Sequence, residues 1–203
     1  MKTENIILMK QARESLKGKW SIAVGVLAVY VLISIIIGSF HRTGSIISLI
    51  ISGPLELGLS IFLLSLSRGG DAKLSELFDG LKRFVVALKA YLLMMLFILL
   101  WALLLIVPGI IAYLSYSQLF FILAEDQTIG AMDALKKSKK MMDGYKWKLF
   151  CLIFRFFWWS ILSILTFGIG FLWLVPYIKV TMAKFYDDLL GKTAVMQNEI
   201  ISK

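Results

Sequence analysis

The chain has 203 residues, 59% of them hydrophobic, with a mean hydropathy of +0.83. A soluble domain is about half apolar and rarely holds apolar runs of 18 residues or more, so water is excluded as the main solvent. The formal charge of +9 suggests either nucleic acid or an anionic surface, and the placement of the cations decides between them.

Residues 1–19 are predicted as an amphipathic helix carrying Lys2, Lys10, Arg13, Lys17 and Lys19. Residues 20–40 are the first apolar segment. It is too long for the core of a secretory signal, about 7–15 residues, and reads as an uncleaved first span. Residues 45–67 are the second, with an interruption expected at Gly53-Pro54. Asp71 can then N-cap an amphipathic helix in which Leu74, Leu77, Phe78 and Leu81 follow an i, i+3, i+4, i+7 stripe.

Residues 84–124 form one apolar run in which Lys89 is the only charge. As a single helix it would be about 60 Å long, twice the roughly 30 Å of a bilayer core. Pro108-Gly109 lies near its middle, so the pair is expected at the tip of a hairpin joining spans 84–107 and 110–124. The fourth span is rich in polar groups, at Tyr113, Ser115, Tyr116, Ser117 and Gln118. Helix–helix hydrogen bonding explains them, and a polar path is the sharper alternative.

Ile129, Met132, Leu135 and Met142 mark a third amphipathic helix. It carries a cluster of Lys136, Lys137, Lys139, Lys140, Lys146 and Lys148. Such a helix is expected in the membrane interface, where each lysine attracts anionic lipid by about 1 kcal/mol. Residues 147–166 and 171–186 are the last two spans, turning at Gly168 and Gly170 of "TFGIG".

The expected fold is therefore all-α, one integral membrane domain over 1–203. It has six transmembrane helices as three hairpins joined by cytoplasmic amphipathic helices, and residues 187–203 form a cytoplasmic tail. Arg68, Lys73, Lys82 and Arg83 follow span two, and Lys184, Lys192 and Lys203 lie towards the C-terminus. The opposite connections hold only Arg42. Positive residues collect on the cytoplasmic side, so both termini are expected in the cytoplasm of a cell with this protein in its inner membrane. The same bias accounts for the charge without nucleic acid.

Three stretches recur, "SLKGKW", "LFDGLKRF" and "MMDGYKWKLF", each with a glycine (Gly18, Gly80, Gly144), a nearby lysine, an aromatic and a span. An acidic residue follows each return helix, at Asp71, Asp126 and Asp187. Either three copies of one unit or interface chemistry common to membrane boundaries accounts for this.

The runs "LWALLLIVPGIIAYLSYS", "SKKMMDGYKWKLF" and "LTFGIGFLWLVPYIKVTMAKFY" together resemble a bacterial integral membrane family known only as domain of unknown function 975. The resemblance extends from about the first span to Tyr186. It implies a polytopic membrane protein without an assigned activity.

Charge inside a bilayer costs about 2.5–3.5 kcal/mol per residue on insertion scales and points to function by default. Glu56, Arg155 and Lys179 are the candidates. Glu56 lies just past Gly53-Pro54, where a restarted helix N-terminus would favour its anion. Its expected partner is Arg155, at a similar depth, or Lys179. The alternative for both cations is to snorkel to the inner interface. The only cysteine is Cys151 and the only histidine is His41, placed in an outer loop, so no disulfide, metal site, nucleophile–base pair or cofactor is expected. "SRGGDAK" lacks a phosphate-loop pattern. The leading expectation is a non-enzymatic membrane protein that engages anionic lipids or a membrane protein partner. The competing one is a small transporter of a lipid or amphipathic peptide that uses Glu56 and Arg155.

Overall fold

A computed structural model describes residues 4–39 and 41–191, and of residues 41–46 the backbone alone. Lys2, Phe40, Lys192, Lys203 and the side chains of His41 and Arg42 lie outside the described residues. Every regular element among the described residues is helical.

Helix α1 (Asn5–Leu16) buries Leu8, Ala12 and Leu16, a stripe repeating every fourth residue. It rests on α10 (Phe171–Leu189) and α3 (His41–Ser67). The chain then turns at Gly18, whose φ of +73° is open to glycine and strained for other residues, into α2 (Trp20–Ser39). Helix α2 is apolar all round and buries only Ala23, Val26 and Leu27.

Helix α3 runs unbroken through Pro54, so the expected interruption at Gly53-Pro54 is absent. Gly53 and Pro54 serve packing instead. A Cβ on Gly53 would lie 2.6 Å from the Ala87 carbonyl, and one on Gly58 would lie 1.8 Å from that of Leu77. Helices packed this tightly tolerate an interior proline, because neighbours compensate for the lost hydrogen bond.

The second amphipathic helix shrinks to one turn, α4 (Glu76–Asp79), followed by a tighter turn over Gly80–Arg83. Asp71 caps nothing here: the residue before α4 is Ser75, and it makes no side-chain capping bond. Of the expected stripe only Leu77 is buried, while Leu74, Phe78 and Leu81 are exposed.

Helix α5 (Phe84–Leu104) ends at Leu105, whose extended backbone (φ −161°, ψ 151°) reverses the chain into α6 (Ile106–Tyr116). The hairpin exists, but its tip is Leu105 and not Pro108-Gly109. Pro108 falls in the first turn of α6, where a helix has no use for the missing N–H. Gly109 lets α6 approach Ala102 of α5.

The fourth segment is interrupted at Ser117-Gln118 and resumes as α7 (Leu119–Glu125). Helix α8 (Ala131–Met141) packs Ala134, Leu135 and Ser138 against α5, α6 and α7. Leu135 and Met142 of its expected apolar stripe are covered by protein, while Met132 is exposed. Gly144 (φ +73°) repeats the Gly18 turn and leads into α9 (Lys146–Leu165). At Thr166–Gly170 the chain reverses into α10, with positive φ at Phe167 and Gly168. Gly170 is close-packed, 2.7 Å from the Ser163 hydroxyl if a Cβ is added.

Among the described residues five segments are long and apolar enough to cross a membrane: Trp20–Ser39, Ile47–Ser67, Glu76–Leu104, Ile106–Glu125 and Lys146–Leu165. Helix α10 falls outside this set; it carries Lys179, Lys184, Asp187 and Asp188. The exposed faces of α2, α5 and α9 display residues such as Ile35, Leu103 and Trp158. An apolar surface this continuous marks contact with lipid or protein.

Candidate functional site

Glu56 of α3 faces α2 and α10. Its Oε1 accepts a hydrogen bond from Lys179 Nζ at 2.9 Å, and its Oε2 accepts one from Tyr30 Oη at 2.9 Å. Lys179 is therefore the ion-pair partner. The helix-restart explanation for the anion gives way to a charge partner and a hydroxyl donor. A cation and a carboxylate that face each other, with a second hydrogen bond from Tyr30, are matched well enough to sit together in an apolar bundle. Tyr30 was missed in the sequence; it is the only tyrosine in α2.

Arg155 points elsewhere. It lies on the exposed face of α9, with Trp147, Phe150, Cys151, Phe154 and Trp158 around it. It makes no hydrogen bond or ion pair with a described residue. The rings beside it stack in sequence: Trp147 on Phe150 at 5.3 Å, Phe150 on Phe154 at 6.3 Å and Phe154 on Phe157 at 6.2 Å between centroids. Arg155 is nine residues beyond Lys146, about 14 Å along the helix at about 1.5 Å per residue.

At the lysine-rich end of the bundle a second charge cluster joins three segments. Arg68, just past α3, donates from Nε and Nη2 to Asp187 Oδ1 of α10 at 3.1 and 2.7 Å. The same Nη2 reaches Glu125 Oε2 at the end of α7 at 2.6 Å. Partial burial opposes the arginine's charge, but the two carboxylates outweigh it and hold its pKa above the ordinary value. The sequence reading counted Arg68 only as a topology charge.

Cations just past Gly18, Gly80 and Gly144 also reach helix ends. Lys19 Nζ donates to the Gly69 and Gly70 carbonyls at 2.9 and 2.7 Å. Arg83 donates to the carbonyls of Leu123, Asp126 and Ile129 at 2.8–3.2 Å. Lys148 reaches the Asp188 carboxylate at 2.7 Å and lies over the Phe185 ring. Positive charge at helix C-termini is favourable, because carbonyls there lack partners. Gly80 itself is helical (φ −60°), and its Cβ position is filled by the Pro54 carbonyl at 2.0 Å, so it is no copy of the Gly18 turn.

Of the lysine cluster, Lys136, Lys137, Lys139 and Lys140 are exposed, Lys146 is half-buried and Lys148 is engaged internally. Ser115 and Ser117 hydrogen-bond within their own helix, and Ser138 of α8 donates to the Ser115 carbonyl at 2.8 Å. Tyr113 is exposed. Gln118 is fully buried, donates to Ser117 and leaves its carbonyl oxygen without a partner in the structure. The polar residues of the fourth segment thus include helix–helix bonding between α6 and α8. No three His, Cys, Asp or Glu side chains among the described residues come together as a metal site.

No curated protein and no solved structure matches the chain. The family model described as "Protein of unknown function (DUF975)" matches residues 1–115 and 103–193. Those two matches span nearly all of the helices described above, and the chain belongs to that family.

Proposed function

We propose that this is a non-enzymatic, six-span protein of the cytoplasmic membrane that engages anionic lipid or a membrane protein partner through its exterior. The observation that carries this reading is the distribution of charge. The mid-bundle charges Glu56 and Lys179 neutralise each other inside, whereas Arg155 and the four exposed lysines of α8 face out. Helix α10 supplies the sixth crossing, with Lys179 matched by Glu56. The lysine-rich end, bearing α1 and α8, is the cytoplasmic one, and both termini lie there. The cation-to-helix-end contacts of Lys19, Arg83 and Lys148 support a reading of three related hairpin units.

An unmatched arginine at mid-span on an aromatic face calls for an anionic group at the same depth. A second copy docked parallel on the same face would place two arginines together, so the face suits a different membrane helix that carries a carboxylate. The test is extraction into native-lipid nanodiscs, with identification of every protein and lipid that comes along. A stoichiometric membrane protein lost in Arg155→Gln, with the fold intact, supports the reading. A protein isolated alone, with the lipid composition of the bulk membrane in wild type and in a variant of all four lysines to Gln, contradicts it.

Transport remains the second reading, favoured by the partly accessible Glu56–Lys179 pair, whose side chains are 27% and 33% exposed. Arg155 is not on that path. Transport requires loss of function in Glu56→Gln while the bundle stays folded.

A further inference from the structure

Between α2, α9 and α10 lies an open cleft of about 460 Å³. Trp20, Trp159, Trp173 and Tyr177 line it, together with Gly170 beside the α9–α10 turn. At the lysine-rich end it reaches Arg13 of α1, the one charged residue on its lining.

The hydroxyl groups of the lining are committed. Ser163 Oγ donates to the Trp159 carbonyl, Thr166 Oγ1 to that of Ser163, and Tyr177 Oη to that of Met9. Arg13 is exposed and makes no hydrogen bond or ion pair with a described residue. The cleft is therefore apolar along its length and cationic at one mouth. A soluble anion would use only the mouth, and an uncharged apolar helix would leave the guanidinium unmatched. An amphiphile with an anionic head and a long tail satisfies both parts.

We propose that this cleft holds one acyl chain of an anionic phospholipid, with the phosphate on Arg13 and the tail between Trp20, Trp159 and Trp173. A guanidinium presents two parallel N–H groups to a phosphate, which fits Arg13 for this contact better than a lysine. The proposal rests on the lipid-engaging reading above and narrows it to one site.

The full chain, reconstituted in nanodiscs of equal phosphatidylglycerol and phosphatidylcholine and released for native mass spectrometry, tests it. One phosphatidylglycerol retained per chain is expected. Arg13→Gln should lower that retention about fivefold, the effect of one interfacial charge, and lower that of phosphatidylcholine, whose choline offsets its phosphate, by less. Arg13→Lys should restore part of it. Met9→Trp, which fills the cleft beside Tyr177, should reduce retention of both lipids. If retention withstands Arg13→Gln and Met9→Trp but falls when Lys136, Lys137, Lys139 and Lys140 become Gln, the cleft is overturned and lipid binding at the basic surface stands. If none of these changes it, or a second copy occupies the cleft, the site is overturned as well. Loss of the Arg155-dependent partner with lipid retention unchanged would instead count against the partner reading alone.

Discussion

Along the chain α2, α5 and α9 each lead a pair of apolar segments, and α3, α6–α7 and α10 follow them. Within the most apolar stretch of each segment, 17% of residues are buried in Trp20–Ser39, 11% in Glu76–Leu104 and 22% in Lys146–Leu165. The following segments Ile47–Ser67 and Ile106–Glu125 reach 56% and 61%. Most buried polar residues, Ser60, Ser67, Ser115, Gln118, Thr181, Asp187 and Asp188, lie in the following segments, with Ser138 on α8 and Ser163 on α9 the exceptions among the described residues. In an apolar solvent the hydrophobic effect does not sort residues inward, so polar side chains and close-packed small residues mark the interior instead. The leading helices have few of either and form the exterior.

The largest effect expected from breaking this contrast is at Arg68. Arg68→Ala leaves Asp187, 5% exposed, without its guanidinium partner. Loss of a buried partner costs about 3–5 kcal/mol, which SDS titration of the folded protein in mixed micelles would read. Arg68→Leu with Asp187→Leu should recover much of it. Glu56→Ala comes next, at about 3 kcal/mol by the same argument. Adding Lys179→Met should return stability close to wild type, and additivity of the two substitutions would refute the pairing.

The glycines give a sharper contrast. Gly80→Asn must drive a side chain into the Pro54 carbonyl and is expected to cost about 1–3 kcal/mol or more, as overpacking does. Gly18→Asn and Gly144→Asn meet no atom within 4 Å, and asparagine tolerates positive φ, so about 1 kcal/mol or less is expected. Equal losses at all three would mean that the second turn is built like the other two.

The smallest effect is at Glu76. Its Oε1 accepts from the Ser65 hydroxyl at 3.4 Å, and its Oε2 is buried without a partner in the structure. A buried oxygen without a donor costs stability, so Glu76→Gln is expected to stay within about 1 kcal/mol of wild type in the same SDS titration. A larger loss would contradict this.

Helix positions were legible because apolar length and glycine turns are local signals. The starts expected at residues 20, 84 and 171 coincide with those of Trp20–Ser39, Phe84–Leu104 and Phe171–Leu189. Misreadings arose where a residue that breaks soluble helices serves packing instead. Gly53-Pro54 continues α3, and Pro108 sits in the first turn of α6, three residues past Leu105. The depth argument gave Glu56 two partners, since distance along a helix says nothing about which face a residue occupies; α9 turns Arg155 outward. The Arg68 cluster joins residues 57 and 119 positions apart, beyond any local pattern.

The division into inner and outer helices is tested most directly by spin labels in reconstituted vesicles. The native Cys151 reports the outer face of α9. In a Cys151→Ser background, Leu59→Cys, Ile122→Cys and Val180→Cys report the inner segments, at residues with no exposed surface. The account predicts high accessibility to oxygen dissolved in lipid at Cys151 and low accessibility at the other three. An inaccessible Cys151, or lipid-level oxygen access at Leu59→Cys and Val180→Cys, would contradict it.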